Sequence, residues 1–255
     1  MLDWPTLVVL IGIGLIVGVF IGCVGIGGVL LVPTLTYIGG AEIHVAIASC
    51  MLSYLFSGLL GGLMFARRGS IRWPMAGWLC AGAMPGAFLG AATAFAISGV
   101  VLEGVIALLI TATGLHALTV QRAARRERAP GTRRLAVIGL ITGYGSALTG
   151  TGGPLLLVPI LVWMEVPVLT AIGLSQVIQL PIATLATVGN LAYGSLDYPL
   201  ALGIAAVLMA GVSGGVRLAH RVPSAVLRYI VAWVLVAIGG AMLVRLSYRS
   251  LNVLA

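Results

Sequence analysis

Charged residues are scarce in this sequence. They make up 8% of its 255 residues, against 60% apolar, whereas a soluble domain carries about 25%. An ordinary soluble fold is thereby excluded. Lysine is missing altogether, so the fourteen basic residues are all arginine. The acidic residues Asp3, Glu42, Glu103, Glu127, Glu165 and Asp197 fall at the ends of apolar runs or in loops. None sits in the middle of a run, where a proton relay would need one. Cys23, Cys50 and Cys80 are odd in number and lie within apolar runs, which excludes a disulfide framework. His44 and His116 lie near run ends without a paired acid, so no metal centre and no Ser-His-Asp arrangement can be built from them. No cofactor is expected. The opening Met1-Leu2-Asp3-Trp4-Pro5 has no basic stretch and so does not read as a cleaved signal peptide.

What is present is long apolar sequence. Runs of roughly twenty residues recur, each long enough to cross a hydrocarbon core of about 30 Å. The expectation is an all-α, multi-pass integral protein of the cell (inner) membrane. The net charge of +8 does not indicate nucleic acid, because the arginines cluster in short segments between runs, as cytoplasmic loops do. The runs are Leu7 to Ile38, His44 to Phe65, Pro74 to Ile97 and Val101 to Val120, then Leu135 to Met164, Leu169 to Tyr193, Pro199 to Ala219 and Ala225 to Leu246. Trp4, Trp73, Trp163 and Tyr198 fall near run ends and read as interfacial anchors. Gly82, Gly86 and Gly90 recur every four residues and make a flat face for close helix contact.

Two of the runs are too long for one crossing, and each is broken by glycines. Gly25-Ile26-Gly27-Gly28 leads into an apolar stretch ending Val32-Pro33. Gly150-Thr151-Gly152-Gly153 leads into one ending Val158-Pro159. Glycine costs about 1 kcal/mol against alanine in a helix, so neither run is expected to continue unbroken. Non-helical backbone at membrane depth is tolerated only when buried in protein or lining a polar cavity. Two such breaks in matching places point to a transport site. Each restarted helix carries unpaired amides and a partial positive charge at its start, and glycines let an anion approach them. Pro154 suits such a first position.

The breaks belong to a wider duplication. Gly69-Ser70-Ile71-Arg72-Trp73-Pro74 matches Gly194-Ser195-Leu196-Asp197-Tyr198-Pro199; Gly86 and Gly90 match Gly211 and Gly215. Residues 1–120 read as a first membrane repeat, 121–134 as a basic cytoplasmic connector and 135–255 as a second repeat. Each repeat is a broken helix plus three transmembrane helices. If the breaks cross fully, the repeats are parallel; if they are re-entrant, the repeats are inverted. Inversion puts Arg217, Arg221 and Arg228 on the side of Arg67, Arg68, Arg72 and the connector, which fits the positive-inside rule better. Polar residues on the following run support a site. Ser49, Ser53 and Ser57 share a helix face, and the matching positions hold Ser175, Gln179 and Ala183, with Gln176 and Asn190 nearby.

With duplicated halves, paired G-x-G-G and Val-Pro segments and a basic connector, nearly the whole chain resembles the sulfite exporter TauE/SafE family of membrane permeases. The resemblance implies transport, in the export direction, of sulfur-containing anions such as sulfite or organosulfonates, including sulfoacetate. The candidate substrate residues are Gly25, Gly27, Gly28, Ser49, Ser53, Gly150, Thr151, Gly152, Gly153, Ser175, Gln176 and Gln179. The expected partners are a small anion and the lipid bilayer, with homo-oligomerisation left open. The competing readings are an intramembrane enzyme, for which no nucleophile or acid–base pair is found at depth, and a non-transporting assembly protein.

Overall fold

A computed structural model describes residues 4–25, 27–119, 131–164, 166–192, 196–221 and 223–254. Asp3, Glu127, Glu165 and most of the basic connector lie outside them. The described residues form helices and no strand. In chain order they are α1 (Trp4–Val24), a 3₁₀ turn (Gly27–Leu30), α2 (Leu31–Tyr37), α3 (Ile43–Arg67), α4 (Trp73–Ala96) and α5 (Gly99–Thr119). The second half gives α6 (Thr132–Thr149), α7 (Pro154–Trp163), α8 (Val168–Ala192), α9 (Tyr198–Ala219) and α10 (Ser224–Leu254). Five of them, α1, α3, α4, α8 and α9, are long and apolar enough to cross a membrane. Trp4, Trp73 and Tyr198 are exposed near helix starts, where the amphipathic rings of interfacial anchors sit.

Both long runs are interrupted where the glycines predict. α1 stops at Val24 because Gly25 takes a left-handed φ of 77°, and its amide turns back onto the carbonyls of Phe20 and Ile21. α6 stops at Thr149 in the same way, with Gly150 at φ 71° and its amide on Ser146. Left-handed backbone disfavours any residue with a Cβ, which is why glycine ends so many helices. The chain then restarts as the short helices α2 and α7.

Close glycine contacts set the helix directions. Gly82, Gly86 and Gly90 meet the backbone of Ala136, Leu140 and Tyr144 in that order, so α4 and α6 run parallel. Gly14, Gly18 and Gly22 meet Val207, Leu208 and Val212, so α1 and α9 also run parallel. Ser53 reaches the Ala201 carbonyl and Arg68 the Val216 carbonyl, which aligns α3 with α9. Gln179 binds the Tyr54 carbonyl while Gly173 lies against Phe65, so α8 runs antiparallel to α3. Without a hydrophobic force between helices in lipid, such small-residue approach is what holds a bundle together.

These directions separate two ends of the molecule. Arg67, Arg68, Arg72, Arg133, Arg134, Arg217 and Arg221 belong to one end, where Arg68 Nη1 lies 2.6 Å from His220 Nδ1. Glu42, Glu103 and Asp197 belong to the other, with Arg245 beside Glu42 and Glu103.

Candidate functional site

The two breaks meet in the protein interior. A Cβ placed on Gly25 would lie 3.1 Å from Val158 and 3.5 Å from Pro154, both on α7. A Cβ on Gly150 would lie 2.8 Å from Val32, on α2. Each break therefore packs on the short helix that follows the other break. Gly28 faces the Thr151 carbonyl at 3.1 Å, which joins the two glycine segments directly. Thr151 is 3% exposed, and Gly150, Gly152 and Gly153 are buried. Gly27 opens the 3₁₀ turn beside them.

Tyr54, in the middle of α3, sits between the two segments. Its hydroxyl donates to the Gly28 carbonyl, and its ring covers Gly152, where a Cβ would be 2.8 Å away. It is 1% exposed. Sequence reasoning passed over this residue in favour of the serines beside it. The available signal was a tyrosine hydroxyl carried to mid-membrane, which must find a partner there.

The polar candidates divide between the breaks and the helix contacts. Ser175 Oγ lies 3.1 Å from the Cβ position of Gly25, although its own proton goes to the Ile172 carbonyl. Gln176 Nε2 donates 3.0 Å to the Ile21 carbonyl, in the last turn of α1, while its buried Oε1 has no partner and faces Gly61. Gln179 Nε2 donates to the Tyr54 carbonyl and lies 3.1 Å from Ser57 Oγ, so it holds α8 to α3 directly under the tyrosine. Ser53 donates to Ala201 on α9 at 2.7 Å and to Ser49 within α3, and Ser49 Oγ lies 3.5 Å from the Asp197 carbonyl. The hydroxyls of Ser49 and Ser53 thus face α9 and not the glycines.

Backbone donors remain at the second break. Pro154 opens α7 without an N–H, and the amides of Leu156 and Leu157 both turn to the Gly153 carbonyl. Thr151 N is taken by the Ser146 carbonyl. Among the described residues, no hydrogen bond occupies the amides of Gly152 and Gly153. Buried amides without partners cost several kcal/mol in an apolar interior, so an acceptor placed there would gain both of them. Among the described residues no group of three or more His, Cys, Asp or Glu could hold a metal ion.

Comparison with known proteins agrees with a membrane carrier. The family profile "Sulfite exporter TauE/SafE" matches residues 10–242. A "Probable membrane transporter protein" of Xylella fastidiosa (strain 9a5c) is 27% identical over 218 residues, covering 82% of each chain. The "Probable membrane transporter protein YdhB" of Bacillus subtilis (strain 168) is 22% identical over 225 residues, covering 84% of this chain and 90% of its own. No solved structure matches the chain.

Proposed function

We propose that this chain, which belongs to the sulfite exporter TauE/SafE family of membrane transporters, carries small sulfur-containing anions such as sulfite or organosulfonates out across the cell membrane. The observation that carries the proposal is the meeting of the two glycine breaks, with the free amides of Gly152 and Gly153 beside them. An oxyanion gains there from the partial positive charge of roughly half a unit at a helix start, and no buried cation is needed. Gly25, Gly28, Thr151 and Ser175 complete the walls, and Gln176 and Gln179 fix the helices around them.

In this reading Tyr54 closes the site. The ring of Tyr54 packs against Gly152, and its hydroxyl bond to Gly28 keeps it there. An incoming anion displaces the ring and takes over the amides. Ser49 and Ser53 serve the α3–α9 contact.

The same reading takes residues 1–120 and 135–255 as inverted repeats joined by the connector 121–134, each broken segment being re-entrant. Both α1 and α3 run parallel to α9, so the chain must turn back between them. The contacts are also reciprocal. Gly25 meets Val158 and Gly150 meets Val32; Gly18 meets Leu208 and Gly143 meets Ala83. The pairs Gly25/Gly150, Gly18/Gly143 and Ala83/Leu208 each differ by the same 125 positions (150 − 25, 143 − 18, 208 − 83). The arginine end then faces the cytoplasm.

A thermal-shift screen of the detergent-purified protein tests the substrate class. Sulfite or a sulfonate should raise the unfolding midpoint by mass action, while chloride and a neutral sugar should not. Equal midpoints with all four would overturn the assignment.

A further inference from the structure

A polar cavity of about 400 Å³ opens at the acidic end of the molecule, away from the glycine breaks. Its walls carry Thr36, Tyr37, Glu42, His44, Glu103 and Arg245. Four elements from both halves of the chain converge there: the end of α2, the start of α3, the start of α5 and the later part of α10. The transport reading above uses none of these side chains.

Their partnering sorts the charges. His44 Nδ1 lies 3.4 Å from Glu42 Oε1. Glu103 Oε2 accepts from the Tyr37 hydroxyl at 3.4 Å. Arg245 lies with its guanidinium carbon 4.2 Å from the centre of the Tyr37 ring, stacked on its face. No carboxylate of a described residue comes within 4 Å of Arg245. Ring stacking orients the guanidinium and leaves its in-plane N–H donors directed outward. Thr36 Oγ1, on the same wall, is buried and has no hydrogen-bond partner.

We propose that Arg245 forms a second anion-binding site, for a sulfonate- or sulfate-like group, at the mouth of the acidic end. A planar guanidinium matches two oxygens of such a group. Glu42 and Glu103 lower the local potential and keep the site weak, which suits a station that must release its ligand. Tyr37 ends α2, whose path starts at the first break. From Gly27 to Tyr37 the chain climbs about 15 Å at the helical rise, so this second site lies one half-helix from the glycines. Its place on the transport path rests on the proposed function; its existence as an anion site does not.

The test uses the full-length protein with Glu42→Cys, an exposed position on the cavity wall, as reporter and the unsubstituted protein as background for the three native cysteines. The labelling rate is read with the anionic 2-sulfonatoethyl methanethiosulfonate and with its cationic trimethylammonium counterpart. Adding Arg245→Gln should lower the anionic-to-cationic rate ratio at least tenfold, and excess ethanesulfonate should slow the anionic reagent only when Arg245 is present. A ratio that moves less than twofold, with no slowing by ethanesulfonate, would overturn the site. Should Glu42→Cys fail to fold, His44→Cys reports on the same cavity with the same two outcomes. Sulfite flux in liposomes separates this result from the fate of the parent reading. A wild type without flux but with the Arg245-dependent ratio keeps the site and removes the path; flux with an unmoved ratio does the reverse.

Discussion

At the scale of single residues, the proposed closure of the break rests on Tyr54. Its hydroxyl bond to the Gly28 carbonyl is worth about 1 kcal/mol net. If an anion must break that bond to reach the Gly152 amide, Tyr54→Phe should destabilise the empty protein by about that much. By the same linkage it should tighten anion binding about fivefold. Ligand-dependent unfolding midpoints of the two proteins would show this, and weaker binding by the phenylalanine variant would contradict the plug. The glycines of the breaks were readable from sequence because their spacing is a backbone property. Tyr54 was not, because its role depends on two segments far apart in the chain converging on it. For Ser53 the sequence showed a polar face but not its neighbour, which proves to be the Ala201 carbonyl of α9.

At the scale of elements, the bundle is held by helices in backbone contact. Gly86 on α4 faces the Leu140 carbonyl and lies 2.9 Å, at its Cβ position, from the Tyr144 amide, whereas Gly77 on the same helix has nothing within 4 Å. Gly86→Val should therefore cost about 1–3 kcal/mol or more through overpacking. Gly77→Ala should be neutral or stabilising by up to about 1 kcal/mol through helix propensity. Unfolding in detergent compares the two, and equal effects would mean that α4 does not pack on α6 as described. The four-residue spacing of Gly82, Gly86 and Gly90 announced a contact face. It could not name α6 as the partner, since any helix with small residues would have fitted the same groove. The boundaries of α6 also moved: the helix starts at Thr132 and takes Arg133 and Arg134 into its first turn, where apolar patterning alone suggested a start at Leu135.

At the scale of the whole molecule, charge and helix direction point the same way. The close approach of Arg68 to His220 brings the α3–α4 turn and the end of α9 together. Re-entrant breaks put these two turns on one side of the membrane; fully crossing breaks would put them on opposite sides. Cysteines introduced at Ser70 and Arg221 should both resist a membrane-impermeant thiol reagent in intact cells and both react in inverted vesicles. One reacting in cells while the other does not would refute the inverted arrangement. Composition alone was enough to read a helical membrane protein, because so little charge leaves no soluble alternative. The choice between parallel and inverted halves was left to the arginines, a weak signal when several lie in short turns.

The most direct measurement of the central claim is radiolabelled sulfite efflux from liposomes holding the purified protein, beside the Gly152→Ala variant. Gly152 has φ 78° and the Tyr54 ring against it, so an added methyl strains the backbone by about 1–2 kcal/mol and blocks the amide. The account predicts wild-type efflux well above empty vesicles and at least a tenfold loss in the variant, with the variant still folded by its cooperative unfolding. Efflux no faster than empty vesicles, or a variant that carries sulfite at the wild-type rate, would contradict it.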